Sequence, residues 1–219
     1  VRYLSGSSCP ELREAAVNGY PVGIMASPGN SHHLQAGAYP AWAADNACFS
    51  RGDAFRLDAY LAWLAGLGHR ATCLFATAPD VVGDAPATWE RSRYVLPVLR
   101  ALGFRAALVA QDGIEATRIE WDAFDALFIG GSTRWKLSET AYRLVGEARE
   151  RGKHTHVGRV NSARRLGAFA AAGCDSCDGT FLAFGPDVNT PRLLGWLDEL
   201  GARPSLWAAA RGGGEGRCE

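Results

Sequence analysis

Gly173-Cys174-Asp175-Ser176-Cys177-Asp178-Gly179 decides how this chain is read. It follows an alanine-rich helical segment, carries two carboxylates three residues apart, and has a glycine at each end. It reads as the last strand of a barrel with a carboxylate at its outer end. Side chains alternate between the faces of a strand, so Asp175 and Asp178 point opposite ways and only one of them can enter a shared site.

Further strand-like runs lie upstream. His154–Val157 is expected to be a strand, and Ser162–Ala172 the helix after it. Ala126–Ile129 is a strand ending in Gly130-Gly131-Ser132-Thr133. Ser138 then reads as the N-cap of a helix over Ala141–Arg151. Ala106–Ala110 and Ala71–Thr77 are continuous apolar strands. Between them Thr88–Leu102 is expected to be helical, kinked at Pro97 and stopped by Gly103. Asp53–Leu67 has apolar residues at 57, 60, 61, 64 and 67, a helical stripe. Val22–Ala26 is a strand stopped by the turn cluster Ser27-Pro28-Gly29-Asn30. Arg2–Leu4 and Trp42–Asp45 are weaker strands. Cys9–Val17 is expected to be a helix, Ser31–Tyr39 a loop containing His32 and His33, and Pro191–Leu200 a closing helix.

Continuous apolar runs followed by helices are the pattern of parallel strands covered on both faces. Eight candidate strands, most of them of this kind, predict an α/β fold, a compact (β/α)8 TIM-type barrel in a single domain over residues 1–207. A doubly wound open sheet is the alternative topology. Residues 208–219, with their Gly-Gly-Gly run, are expected to form a flexible C-terminal tail.

Composition narrows the function classes. Of the 219 residues, 47% are hydrophobic, enough for a core without disulfides. Lys plus Arg (23) equal Asp plus Glu (23), which argues against a protein that simply coats nucleic acid. It leaves room for an enzyme that grips one nucleotide. The six cysteines, at 9, 48, 73, 174, 177 and 218, fit neither a disulfide framework nor a four-ligand zinc knuckle. Reduced thiols and a cytoplasmic location are expected. No signal-peptide pattern and no apolar run of the ~18 residues that a membrane span needs is visible.

Barrel enzymes place their chemistry at the C-terminal ends of the strands. Those positions here are Asp45, Asp80, Gln111, Gly130-Gly131, Arg159, Asn161 and Asp178. There is no nucleophile elbow, no phosphate-binding Gly-x-x-x-x-Gly-Lys loop and no His-Glu-x-x-His helix. Carboxylate chemistry on an uncharged, hydrogen-bonding substrate fits the set. His154 and His156 share a strand face. With Cys174 and Cys177 they would suit a metal-dependent hydrolase, but core packing is the stronger account and no metal is expected.

The same residues resemble the tRNA-guanine transglycosylase superfamily, and within it the deazapurine DNA-modifying (DpdA-like) branch. Asp45-Asn46-Ala47-Cys48-Phe49 is similar to its Asp-Ser-Gly-Gly-Phe segment. Asp80, in Ala78-Pro79-Asp80-Val81-Val82-Gly83-Asp84, falls where the family keeps a base-reading aspartate, with Asp84 as the rival. Ala110-Gln111-Asp112-Gly113 resembles its Gln-Gly strand end, and Gly130-Gly131 its paired glycines. Gly173-x-Asp175-x-x-Asp178 resembles its Gly-x-Asp-x-Phe-Asp strand, with Cys177 in place of the aromatic residue. The matches run in the family's order over roughly residues 21–185. The cysteine-rich zinc subdomain of the bacterial tRNA enzymes has no counterpart beyond Cys218.

The resemblance implies a base exchange, in which guanine is replaced by a 7-deazaguanine such as 7-cyano-7-deazaguanine. Asp178 would be the nucleophile and Asp45 the acid–base group. Asp80 and Gln111 would read the edge of guanine. Gly130 and Gly131 would let backbone N–H groups approach the 7-substituent. Arg159 and Asn161, with Arg164 and Arg165, would hold a flanking phosphate. Trp135, between Arg134 and Lys136, could stack on an extruded base, although a core or surface role fits as well. No cofactor is implied. The expected partners are DNA rather than tRNA, the 7-deazaguanine base and an ATP-using protein. Base exchange or glycosyl transfer on tRNA or on a free nucleoside or nucleotide, and a non-catalytic purine-binding subunit, are the alternatives.

Overall fold

The computed structural model describes residues 1–31, 34 and 39–202. His32, His33 and the expected tail over 208–219 lie outside the described residues. Eight strands, all paired in parallel, close into a barrel in chain order. They are β1 (Arg2–Ser5), β2 (Val22–Ala26), β3 (Trp42–Ala44), β4 (Cys73–Thr77), β5 (Ala106–Ala110), β6 (Ala126–Ile129), β7 (His154–Val157) and β8 (Ser176–Gly179). β8 pairs with β1, Asp178 opposite Leu4, and this pairing closes the ring. The expected (β/α)8 fold is therefore the observed one, and the open-sheet alternative is set aside.

Nine helices surround the barrel among the described residues. They are α1 (Pro10–Val17), α2 (Cys48–Arg51), α3 (Leu57–Gly66), α4 (Ala85–Ser92), α5 (Leu96–Ala101), α6 (Thr133–Lys136), α7 (Glu139–Glu150), α8 (Ala163–Ala171) and α9 (Pro186–Ala202). The cap expected at Ser138 is present, and Ser162 caps α8 in the same way, each hydroxyl accepting a backbone N–H three residues on. The single helix expected over Thr88–Leu102 is two, because α4 ends at Ser92 and Pro97 sits in the first turn of α5, where its missing N–H costs nothing. The closing helix starts at Pro186 and carries Pro191 inside it.

Two apolar regions hold the ring. The larger lies between barrel and helices and includes Tyr3, Ile24, Leu64, Leu96, Leu127 and Phe169. The smaller fills the axis with Leu4, Met25, Ala43, Phe75, Ala107 and Ala126, against which Leu74 and Phe128 pack. The three alanines leave room for larger side chains facing them. Phe75, Phe128, His154 and His156 use that room, with ring centroids 4.5–6.2 Å apart. These rings form the floor beneath the strand ends. Among the described residues no helix is long and apolar enough to cross a membrane.

Candidate active site

A cavity of about 230 Å³ opens at the C-terminal ends of the strands. Its walls include Asp45, Asn46, Phe49, Asp80, Gln111, Gly130, Gly131, Arg159, Asp178 and Thr180, with Phe128 and Val109 beneath. Seven of the eight site positions expected from the sequence meet here, and Asn161 is the exception.

Asp178 lies at the end of β8. Its Oδ1 accepts from the backbone N–H of Arg159 and lies beside His156 Nε2, both at 3.2 Å. Asp175 immediately precedes β8, at the strand's other end. It accepts from Thr155 N (2.8 Å) and Thr155 Oγ1 (2.9 Å) and pairs with Arg149 at 3.5 Å. The strand alternation therefore separates the two carboxylates as expected, and Asp178 alone reaches the cavity.

Asp45 follows β3. Removal from bulk water raises its carboxyl from 3.8 to about 7, helped by the negative charges of Asp178 and Asp80. Hydrogen bonds from the backbone of Ala47 and Asn46 oppose the rise without cancelling it. Near neutral pH such a group can both give and take a proton, as acid–base catalysis requires. The next turn is made by Ala47, a non-glycine residue at φ 64°.

Asp80 is buried and joins Asn46 and Gln111 in a tight network. Asn46 Nδ2 donates to its Oδ1 (3.1 Å) and Gln111 Nε2 to its Oδ2 (2.7 Å). Burial raises the Asp80 carboxyl above its ordinary range, against the pull of these two amides. Each carboxylate oxygen has two acceptor sites, so capacity for two more donors remains. Asp84 is elsewhere. It caps α4 by accepting from Ala87 N at 2.9 Å, so that of these two aspartates Asp80 is the one on the cavity wall.

Gln111 Oε1 accepts from the backbone N–H of both Gly83 (2.9 Å) and Gly131 (3.0 Å). Its Nε2 carries two hydrogens, and the bond to Asp80 uses one. This arrangement corrects the role expected of the paired glycines. Gly130 N–H is committed to Ala110 O and Gly131 N–H to Gln111, so neither is free to reach a ligand. The glycines act by leaving space. A Cβ on Gly130 would lie 2.7 Å from Val109 Cγ1 and 2.9 Å from Gln111 Nε2. On Gly131, at φ +52°, it would lie 2.5 Å from the Trp135 ring.

Arg159 lines the cavity in a left-handed conformation, φ 62°. Its guanidinium donates to Gly131 O and sits 4.9 Å from the ring centre of Phe49, which is itself exposed. Asn161 does not face the cavity. Its amide is spent on Thr180, accepting from the backbone N–H (2.8 Å) and donating to Oγ1 (3.1 Å). It ties the ends of β7 and β8 together and is not a phosphate ligand in this arrangement. Arg164 and Arg165 belong to α8, outside the cavity wall. Trp135 is buried against Gly131, with Nε1 donating to Glu115 at 3.2 Å, so it does not offer a face to a base.

Three participants were named from the sequence only as neighbours of other candidates. Asn46 locks Asp80, and Phe49 forms the cavity rim with Arg159. Lys136 is buried and donates to Gly158 O at 2.6 Å. Burial and the nearby Arg159 lower its ammonium from 10.5 to about 8, against the pull of Asp178. A polar residue inside a short helix gave no sequence signal, because its burial depends on the β7 end folding over it. Cys177 is fully buried on the outer side of the barrel, and Cys174 donates to backbone carbonyls. Among the described residues no cluster of His, Cys, Asp and Glu is arranged to hold a metal ion.

No protein-family model and no curated protein matches this chain significantly. Solved structures do match. One is the PaMucR phosphodiesterase in complex with c-di-GMP, at 14% identity over 78% of this chain and 65% of that one, with a TM-score of 0.41. Another is tryptophan synthase from M. tuberculosis, in an open form with BRD0059 bound, at 20% identity over 74% and 60%, with a TM-score of 0.43. The chain thus spans less than two thirds of either. Both neighbours are enzymes, and nothing about the present site follows from either.

Proposed function

We propose that the protein is a base-exchange transglycosylase that replaces guanine with a 7-deazaguanine, 7-cyano-7-deazaguanine being the expected incoming base. The observation that carries this reading is the convergence of Asp45, Asp80 and Asp178 on one cavity, each in a different electrostatic setting.

In the reaction Asp178 attacks C1′ of the sugar as the bond to guanine N9 breaks. The carboxylate first stabilises the oxocarbenium-like charge and then holds the sugar as an ester, as a retaining glycosidase does. The leaving guanine needs a proton and the incoming base must lose one. Asp45, held at about 7, supplies the first and removes the second. Asp80 has acceptor capacity for the N1–H and N2–H of guanine, and the second Nε2 hydrogen of Gln111 suits O6. A base lacking that edge would leave buried polar groups unpaired, which is how such a site discriminates. The Phe49–Arg159 pair at the rim offers a flat cationic surface for the nucleotide. No cofactor is required.

The acceptor in this reading is DNA, with the target base extruded or single-stranded. A neutral chain of this size would rely on a partner to hold the duplex, and an ATP-using remodelling protein fits that task. The balanced charge (23 basic, 23 acidic) also suits a free nucleoside as acceptor, the second reading. Incubation with labelled 7-cyano-7-deazaguanine and, in separate reactions, DNA, tRNA and nucleosides tests both. Label in DNA supports the first reading and label in nucleoside alone the second. Label in none of them, or a trapped glycosyl adduct on Asp175, ends both.

A further inference from the structure

Beneath the cavity, the two histidines of β7 and the serine of β8 form a continuous polar chain down the barrel axis. His154 Nε2 lies 2.8 Å from Ser176 Oγ, which lies 2.8 Å from His156 Nδ1. His156 Nε2 lies 3.2 Å from Asp178 Oδ1. Ser176 and His156 are fully buried, and the axis around them is otherwise aromatic and aliphatic. At its far end His154 borders a second pocket, on the opposite mouth of the barrel, with Arg105, Arg149, Lys153 and Asp175.

The direction of every bond in this chain follows from one terminus. An ionised carboxylate only accepts, so His156 Nε2 must carry a hydrogen. Burial lowers the proton affinity of His156, more than Asp178 raises it, so the ring is neutral. A neutral imidazole has one hydrogen, which leaves Nδ1 bare and obliges Ser176 to donate to it. The serine oxygen then accepts from His154 Nε2. His154, lowered by burial to about 4, is neutral as well.

We propose that Asp178 polarises this chain, so that His156 is its positioning residue and the tautomer of His154 reports the Asp178 charge at the opposite mouth of the barrel. The consequence rests on reading Asp178 as the reacting carboxylate, but the chain itself does not. His156 fixes one carboxylate oxygen from below and the Arg159 N–H reaches the same oxygen. The second oxygen is left to face the sugar. Asp178 itself keeps His156 out of the other tautomer, in which a bare Nε2 would face the carboxylate and repel it, and Ser176 passes that choice on to His154. The charged groups around the chain are Asp178 and Lys136 at the upper end, and Asp175, Arg105 and Arg2 at the lower.

Histidine ring-nitrogen NMR on the resting, substrate-free protein at neutral pH tests this directly. The expected spectrum shows both rings neutral, each with Nε2 protonated and Nδ1 bare. Ser176→Ala should leave His156 in that form and release His154 to a tautomer mixture, whereas Ser176→Thr keeps the wild-type pattern. Asp178→Ala should release both rings, although it touches only one of them. A charged His156, an Nδ1–H tautomer in the wild type, or a His154 signal indifferent to either Ser176→Ala or Asp178→Ala would overturn the proposal. If Asp178→Ala fails to fold, the wild-type and Ser176 spectra still decide. Because no reaction is involved, a negative base-exchange assay leaves this outcome untouched, and the converse also holds.

Discussion

Replacing Asp45 with asparagine should make the protein more stable at alkaline pH, and the reasoning can be carried to a number. The folded protein holds this carboxyl at about 7, against an ordinary 3.8. A tenfold change in proton affinity is worth about 1.4 kcal/mol, so ionising Asp45 in the fold opposes folding by at most about 4 kcal/mol. Asp45 opens onto a water-accessible cavity, and screening there reduces the effect to about 1–2 kcal/mol. The sign follows from linkage. A raised carboxyl means the folded state binds the proton more tightly, so wild-type stability is fully present below about pH 4 and is lost as pH rises through about 7. The asparagine amide has no such proton to lose, and its carbonyl oxygen still accepts from the Ala47 and Asn46 N–H groups. Urea unfolding of both proteins from pH 5 to pH 8.5 would measure the difference. The variant's advantage should grow across the interval and level off above about pH 7.5. An Asp45→Asn protein no more stable than wild type at pH 8, or an advantage independent of pH, would refute the electrostatic account of this residue. Base exchange should be lost in the same variant, because the acid–base role proposed for Asp45 needs an ionisable group at this position.

Three further outcomes are expected. Gly131→Ala should destabilise the fold by about 2–4 kcal/mol, through a left-handed alanine and its clash with Trp135, read as a lower urea midpoint. Asp84→Ala should cost about 1 kcal/mol from the lost cap of α4 while leaving purine binding by calorimetry unchanged, whereas Asp80→Ala should abolish binding. Asp175→Ala should lower stability by about 1–2 kcal/mol through its lost bonds to Thr155, yet still yield a glycosyl adduct at Asp178 by mass spectrometry.

The barrel was legible because most of its strands are short apolar runs, β7 (His-Thr-His-Val) and β8 (Ser-Cys-Asp-Gly) being the polar exceptions. Val22–Ala26, Ala106–Ala110, Ala126–Ile129 and His154–Val157 match their expected bounds residue for residue. Burial on both faces leaves few polar interruptions, so the run itself is the signal. Helix ends were less legible where proline was involved. Pro191 suggested a start, yet α9 begins five residues earlier. Asn189 holds that first turn by donating to Phe181 O at 2.9 Å and Phe184 O at 3.4 Å, contacts that local pattern does not encode. In the site, polar residues just past a strand could be placed at the cavity because strand ends point there. Which hydrogens they had already committed could not be read. The glycine N–H groups and the Asn161 amide are spent on partners distant in sequence. The histidines told the opposite story, since face-sharing was visible in the alternation while the serine joining them sits on another strand.

The pairing of Arg2–Ser5 with Ser176–Gly179 has a consequence for how this protein comes into being. On a ribosome β1 emerges before the other seven strands of the barrel and must wait for all of them before its closing neighbour exists. Until then the growing sheet has two raw margins, at β1 and at whichever strand was made last, each able to recruit a stray partner. The residue proposed to attack the sugar arrives on the very segment that seals the ring. A nascent or truncated polypeptide lacking that segment therefore has neither a closed fold nor the proposed nucleophile, and the two are gained in one event.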